Sequence, residues 1–333
     1  MIYKISQYLC CVFFLINHSF AQSPSGYRLA KSFKIKSSGG WDYIAVNHQR
    51  IYVSHATQVN ILDEQTGDSI GVIPNTTGVH GIAFVPALGK GYTSNGRLNT
   101  VTVFDLKTNA ILKQIPTGDN PDAIFYDPFS KKIITCNGRS HDLSVIDPVT
   151  EKVIRTIPLS GKPETAVSDE AGKIYVNIED RNSISVIDIS SGKILNNWSL
   201  TPAEGPTGLV IDLKTKTLFA GCEKVLVGMN ASTGQISSRV PIGEGCDGVA
   251  FDPASRYIFA SCGEGALYIT AEDAGGHLKI IDSIPSKKSA RTLTIDQANH
   301  EVFLPAADFQ KADASGKRPP MIPGSFRILV FAK

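Results

Sequence analysis

Apolar residues in this chain fall in short runs of four to seven, separated by turn-forming residues every 8 to 12 positions. One stretch reads GIAFV, KGYTS, TVTVFD, ILKQIP; the next reads DAIFYD, KIITC, LSVID, VIRTIP; a third reads ETAVSD, KIYVN, ISVID, KILNNWSL. Runs of this length, rich in Val, Ile, Tyr and Phe, predict strands, and no segment sustains the 3.6-residue apolar period of a helix. Helix content is therefore expected to be near zero.

The runs repeat as groups of four. Asp63, Asp105, Asp147, Asp188 and Asn230 follow one another at intervals of 41 or 42 residues, each trailed three positions on by Thr66, Thr108, Thr150, Ser191 or Thr233. An Asp or Asn oxygen that accepts from backbone donors just ahead of it is tight-turn chemistry. A second series, from Val85-Pro86 and Asp127-Pro128 through Asp252-Pro253 to Asp296-Gln297, marks another turn of the same unit. Four strands in about 40–45 residues is the blade of a β-propeller, in which each sheet covers its neighbour's apolar face. The expected fold class is all-β: a seven-bladed β-propeller of four-stranded blades over residues 22–333, its units starting near Gly40, Val79, Asn120, Lys162, Gly205, Gly245 and Ser289.

The last unit, through LTIDQ, EVFLPA and SFRILVFA, supplies only three strands. Residues 27–35 (YRLAKSFKI), within a closing segment at 26–38, match the outer-strand pattern and are expected to pair into that blade. Such pairing removes an exposed edge. Prolines at 74, 116, 158, 241 and 285 fall at outer-strand ends, where a missing ladder donor blunts edge-to-edge association.

Composition narrows the setting. The net charge is +2 with no block of Lys or Arg, so no nucleic-acid partner is expected. No apolar run reaches the roughly 18 residues of a membrane span. Residues 1–21 read as a signal peptide: Lys4 is the only charge before Arg28, 9–16 is a short apolar core, and Ser19 and Ala21 sit at −3 and −1 of a cleavage site. The mature protein is expected to be periplasmic or secreted, and a monomer.

The phrases IYVSHA, GYTSNG, IITCNG, IYVNIE, LFAGCE and IFASCG resemble the YVTN repeat, and the mature chain is similar to the YncE-like family of exported seven-bladed propellers. The wider superfamily implies lactonase-like hydrolases, haem-domain propellers or binding proteins, and fold alone does not choose among them.

Repeat geometry does choose a face. The residue before each inner strand's apolar run is Asp42, His80, Asp122, Glu164, Thr207, Asp247 or Arg291, and these seven are expected to ring one mouth of the central channel. Two readings stand. The ring binds a small molecule or a divalent metal, with Asp42, His80, Asp122 and Asp247 as candidate ligands; or it is a wet polar mouth with Arg291 paired to Asp247 or Asp42. Arg97, Arg139 and Arg181, on the neighbouring loops, suit a carboxylate or phosphate ligand, or else bridge blades through acidic residues. His55, His141, Asn95 and Asn137 lie close to them. An insertion at 308–325, charged and rich in Pro and Gly, reads equally as a lid over this mouth or as a surface loop.

Pairing Phe251 with Tyr257 across a hairpin sets Cys246 opposite Cys262, a candidate disulfide in an exported protein; Cys222 is the competing partner, and all-reduced thiols are the other reading. There is no CxxCH motif, which excludes covalently attached haem, and no GxSxG elbow. The function expected is that of a binding or scaffold protein that holds a small ligand or an exported protein partner on this face. The alternative is a metal-dependent, lactonase-like hydrolase at the same mouth, with Asp122 or Glu164 as base.

Overall fold

The computed structural model describes residues 23–273, 275–311 and 319–333. Residues 1–21, where a signal peptide is expected, lie outside the described residues, as do 312–318 of the insertion.

Seven four-stranded antiparallel sheets form a closed propeller. Six blades are contiguous in sequence, at residues 41–73, 79–116, 121–158, 163–199, 209–241 and 246–285. The seventh takes Thr294–Asp296, Glu301–Ala306 and Arg327–Ala332 from the end of the chain and Arg28–Lys34 from its beginning. Helical structure among the described residues is limited to the short 3-10 turns Pro86–Leu88 and Glu179–Arg181.

Burial follows position within the blade. The two middle strands are covered on both faces by neighbouring sheets, so Arg50–His55 and Lys132–Asn137 are buried at every residue but the first. Outer strands have one wet face, and Ile111–Pro116 hides only Ile115 fully. The apolar clusters accordingly lie between blades: Tyr92 and Val103 of the second pack with Ile124 and Ile133 of the third.

The turns are built as their spacing implies. Asp63 accepts from the amides of Gln65 and Thr66, and Asp105, Asp147 and Asn230 accept in the same way from residues two and three ahead; Asp188 accepts from Ser191. These donors hold the four Asp carboxyls below their ordinary range. The residue after each Thr or Ser takes positive φ: Gly67, Asn109, Glu151, Gly192 and Gly234.

Closure is as expected. The Arg28–Lys34 strand pairs antiparallel with Arg327–Ala332, with one bulge between Leu29 and Lys31. Tyr27 is fully buried, edge-on to Phe259 of the sixth blade at 5.1 Å, and its hydroxyl donates to the carbonyl of His300 at 3.0 Å. The seam is thus packed as well as hydrogen-bonded.

One register differs from the sequence expectation. Tyr257 pairs with Asp252, and Phe251 with Ile258, one position off. A bulge at Asp247 absorbs the offset, so Cys246 and Cys262 do face each other.

Candidate functional site at the channel mouth

Each inner strand of the first four blades, and of the sixth, breaks register where it starts. The breaks fall between Trp41 and Ile44, Val79 and Ile82, Pro121 and Ile124, Pro163 and Ala166, and Cys246 and Gly248. The unpaired residues in these bulges include Asp42, His80, Asp122, Glu164 and Asp247. A bulge frees a residue from the pleat and re-aims its side chain, which explains how one position per blade turns toward the mouth. Thr207 and Arg291 lie just ahead of the inner strands Leu209–Asp212 and Thr294–Asp296 and need no bulge.

A polar staple fixes the level of the ring. Ser94 donates to the carbonyl of Asp122 in the next blade, Asn177 to Thr207 at 3.1 Å, Thr207 to Cys246 at 2.6 Å, Ser261 to Arg291, and Thr292 to Asp42 at 2.5 Å. Ser94, Asn177 and Ser261 are wholly buried and hold equivalent places in the second strands. Sequence reasoning missed them. The signal was there, a small polar residue inside otherwise apolar runs (GYTSN, IYVNI, IFASC).

The ring separates into three groups. His80 Nδ1 lies 2.5 Å from Asp42 Oδ2 and 3.8 Å from Asp122 Oδ1, and one ligand atom from each of the three falls within 4.8 Å of the others. Arg291 pairs with Asp247 and reaches Asp42 Oδ1 at 3.4 Å. Lys162, absent from the predicted set, binds Glu164 at 2.5 Å and also Glu179. Of the four candidate metal ligands, the structure brings together Asp42, His80 and Asp122, while Asp247 is held by Arg291. Thr207 belongs to the staple.

Electrostatics follow burial and crowding. Burial, reinforced by Asp42, pushes Asp122 up to about 6 against the opposing pull of His80. Burial favours neutral His80, but the hydrogen bond it donates to Asp42 and the charges of Asp122, Asp42 and Glu164 outweigh it and raise the imidazole. Glu164 is raised by burial and by Asp122, with the Lys162 ammonium pulling the other way.

Below the ring the channel is crossed by one side chain. The position after each ring residue holds Tyr43, Gly81, Ala123, Thr165, Gly208, Gly248 or Thr292, six small residues and one large. At Gly208 and Gly248 a Cβ would press on the next blade's backbone, at 2.7 Å from the Val249 nitrogen and 2.9 Å from that of Leu293. Tyr43 of the first blade packs against the cluster of the third and fourth blades that includes Ala123 and Ala166. Its hydroxyl is turned toward Thr165, and burial with Asp122, Glu164 and Asp42 around it raises the phenol well above its usual range.

The other candidates have plainer roles. Arg97, Arg139 and Arg181 are exposed on three successive loops, and none of their guanidinium groups makes a hydrogen bond or ion pair to another blade among the described residues. His55 is buried, stacked on Phe326 with centroids 4.2 Å apart, and bonded to Ser37 and to the carbonyl of Gly39. Burial lowers its pKa below the ordinary histidine value. Asn95 and Asn137 are buried and donate to Thr102 and Ser144. His141 takes positive φ in its turn. The stem of the insertion is laddered, with Gln310 donating to Pro320 and Ile322 to Asp308, and Phe309 lies against Trp41. All four cysteines of the described residues are buried free thiols, and Cys246 and Cys262 interact side by side.

No protein-family model matches the chain, and no curated protein matches it. Among solved structures it is similar to Kuenenia stuttgartiensis hydrazine synthase, with a TM-score of 0.71 at 16% identity over 81% of this chain and 94% of that one. At that identity the likeness shows the fold alone. The chain is a seven-bladed β-propeller whose inner strands gather a charged ring at one mouth.

Proposed function

We propose that this protein is an exported binding propeller of YVTN-repeat type, periplasmic or secreted, which holds a small cationic group at the channel mouth. The supporting observation is the convergence of Asp42, His80 and Asp122, with ligand atoms within 4.8 Å of one another. Asp247 is engaged by Arg291 and Glu164 by Lys162, whereas within the trio Asp42 meets Arg291 only at 3.4 Å, so the trio keeps the most acceptor capacity for an occupant. A divalent cation would exchange the His80–Asp42 hydrogen bond for oxygen and imidazole ligation; a protonated amine would be held by the carboxylates alone.

The metal-dependent hydrolase reading draws on the same three residues. It also needs a base beside the metal-bound water. Asp122 would serve as a ligand, and Glu164 is tied to Lys162. That shortage favours binding over turnover.

Calorimetric titration of the mature protein with Mn²⁺, Zn²⁺ and a linear diamine tests the proposal. A saturable heat that vanishes in the Asp42→Asn/Asp122→Asn double variant supports it. Absence of any heat, or heat that survives the double variant, overturns it. Lactone hydrolysis abolished by chelation would move the assignment to the enzyme.

A further inference from the structure

At the end of the channel opposite the charged ring lies a basin of about 730 Å³. It is walled by the outgoing halves of the inner strands of blades three to seven, through side chains such as Phe125, Val167, Val210, Ile211, Leu293 and Ile295, and edged by their first turns. These residues are only partly buried. The basin leans away from blades one and two because inner strands one to three pack closely, while those of blades five and seven are short, Leu209–Asp212 and Thr294–Asp296. It begins one residue beyond the level of Tyr43, which does not line it.

Two of the wall's polar groups are already committed. Ser168 donates to Asp127 at 2.5 Å, and Asp212 accepts from Thr215 and Arg256, each at 2.8 Å. What faces the space is therefore largely hydrocarbon, and water in such a space finds few partners. Exposed Glu170, Lys214 and Gln297 stand at the rim. The volume lies within the roughly 300–1,000 Å³ of small-molecule pockets, and an apolar wall with a few polar rim groups is their usual make-up.

We infer that the basin is a second binding site, for an uncharged lipophilic small molecule whose apolar body fills the inner-strand wall and whose polar end meets the rim. This inference is independent of the charged mouth. The lipophile is held by area removed from water, and affinity scales with the wall it covers.

Titration of the mature protein with the neutral dye N-phenyl-1-naphthylamine, followed by fluorescence, tests it. Wild type is expected to bind saturably at one dye per chain. Thr294→Trp, which fills the basin from a side chain with no hydrogen-bond partner among the described residues, is expected to weaken binding by roughly tenfold or more and to leave the cation titration at the mouth unchanged. Should that variant fail to fold, Val167→Thr/Val210→Thr keeps the volume and dulls the wall; weaker dye binding there supports the same conclusion. Absence of saturable binding in wild type, or affinity untouched in the folded variants, overturns it. Binding of a folded partner protein that excludes the dye would place a protein in the basin and overturn it as well.

Discussion

Arg291 and Asp42 stand 249 residues apart in sequence and meet across the seam of the ring, Nη2 to Oδ1 at 3.4 Å. Arg291 also grips Asp247, so one guanidinium offsets two carboxylates at the mouth and links the last blade to the first. The Thr292 hydroxyl, bonded to the carbonyl of Asp42, reinforces the same junction.

Arg291→Ala is expected to cost about 1 kcal/mol in urea unfolding, the scale of a partly exposed ion pair. The same change frees Asp42 and Asp247 from a competing charge. Cation affinity at the mouth is therefore expected to rise while stability falls, a combination that titration and denaturation read separately.

Raising the pH should loosen the mouth. Asp122 is held at about 6 in the fold, above its unfolded range, so the folded protein favours its protonated form. That contribution is full below about pH 4 and is lost as pH climbs toward 6. His80 is also raised, and its contribution fades in the same direction as pH passes its folded value. Asp122→Asn is expected to stabilise the protein at pH 8 by roughly 2 kcal/mol and to bring no gain at pH 4. Melting curves of both proteins across that range check the sign.

The seam should answer to single atoms. Tyr27→Phe removes the hydroxyl bonded to His300 and is expected to cost about 1 kcal/mol. Tyr27→Ala also empties the packing against Phe259 and is expected to cost about 3–5 kcal/mol. Equilibrium denaturation with a shared slope distinguishes the two.

Cys246 and Cys262 lie opposite each other beside the Asp247 bulge. Oxidative refolding is expected to join them and to leave Cys222 free for alkylation. Mass analysis of alkylated peptides reads the outcome, and a Cys222→Ser chain should behave identically. Two alkylated thiols at 246 and 262 after oxidation would count against the pairing.

The fold was legible because a β-blade writes its turns at fixed intervals: Asp63, Asp105, Asp147, Asp188 and Asn230 mark the same turn in five sheets. The ring was legible for the same reason, since one place per repeat must face the axis. Partners were harder to read. Lys162 claims Glu164 from two residues away, a contact that depends on a bulge no strand pattern announces. The hairpin carrying Cys246 and Cys262 came out aligned although its register was read one position off, because the bulge at Asp247 restores it. Tyr43 was passed over, although it is the one large residue in a column of small ones. That it reaches toward Thr165 on the far side becomes plain only when the ring is closed. The basin was hidden altogether, since its walls come from five repeats that meet only across the axis.

Gly26 sits against Lys333, close enough that a Cβ on the glycine would lie 3.7 Å from the lysine Cγ. Splicing the chain there and cutting it instead within any exposed turn after a strand such as Thr100–Asp105 would give a circular permutant that keeps every strand neighbour and gives up the bonds of Ser23 and Ser25 to Asp282. A family of such permutants would move the cut point around the circumference one sheet at a time. Their relative melting temperatures would show which junction the whole assembly can least do without.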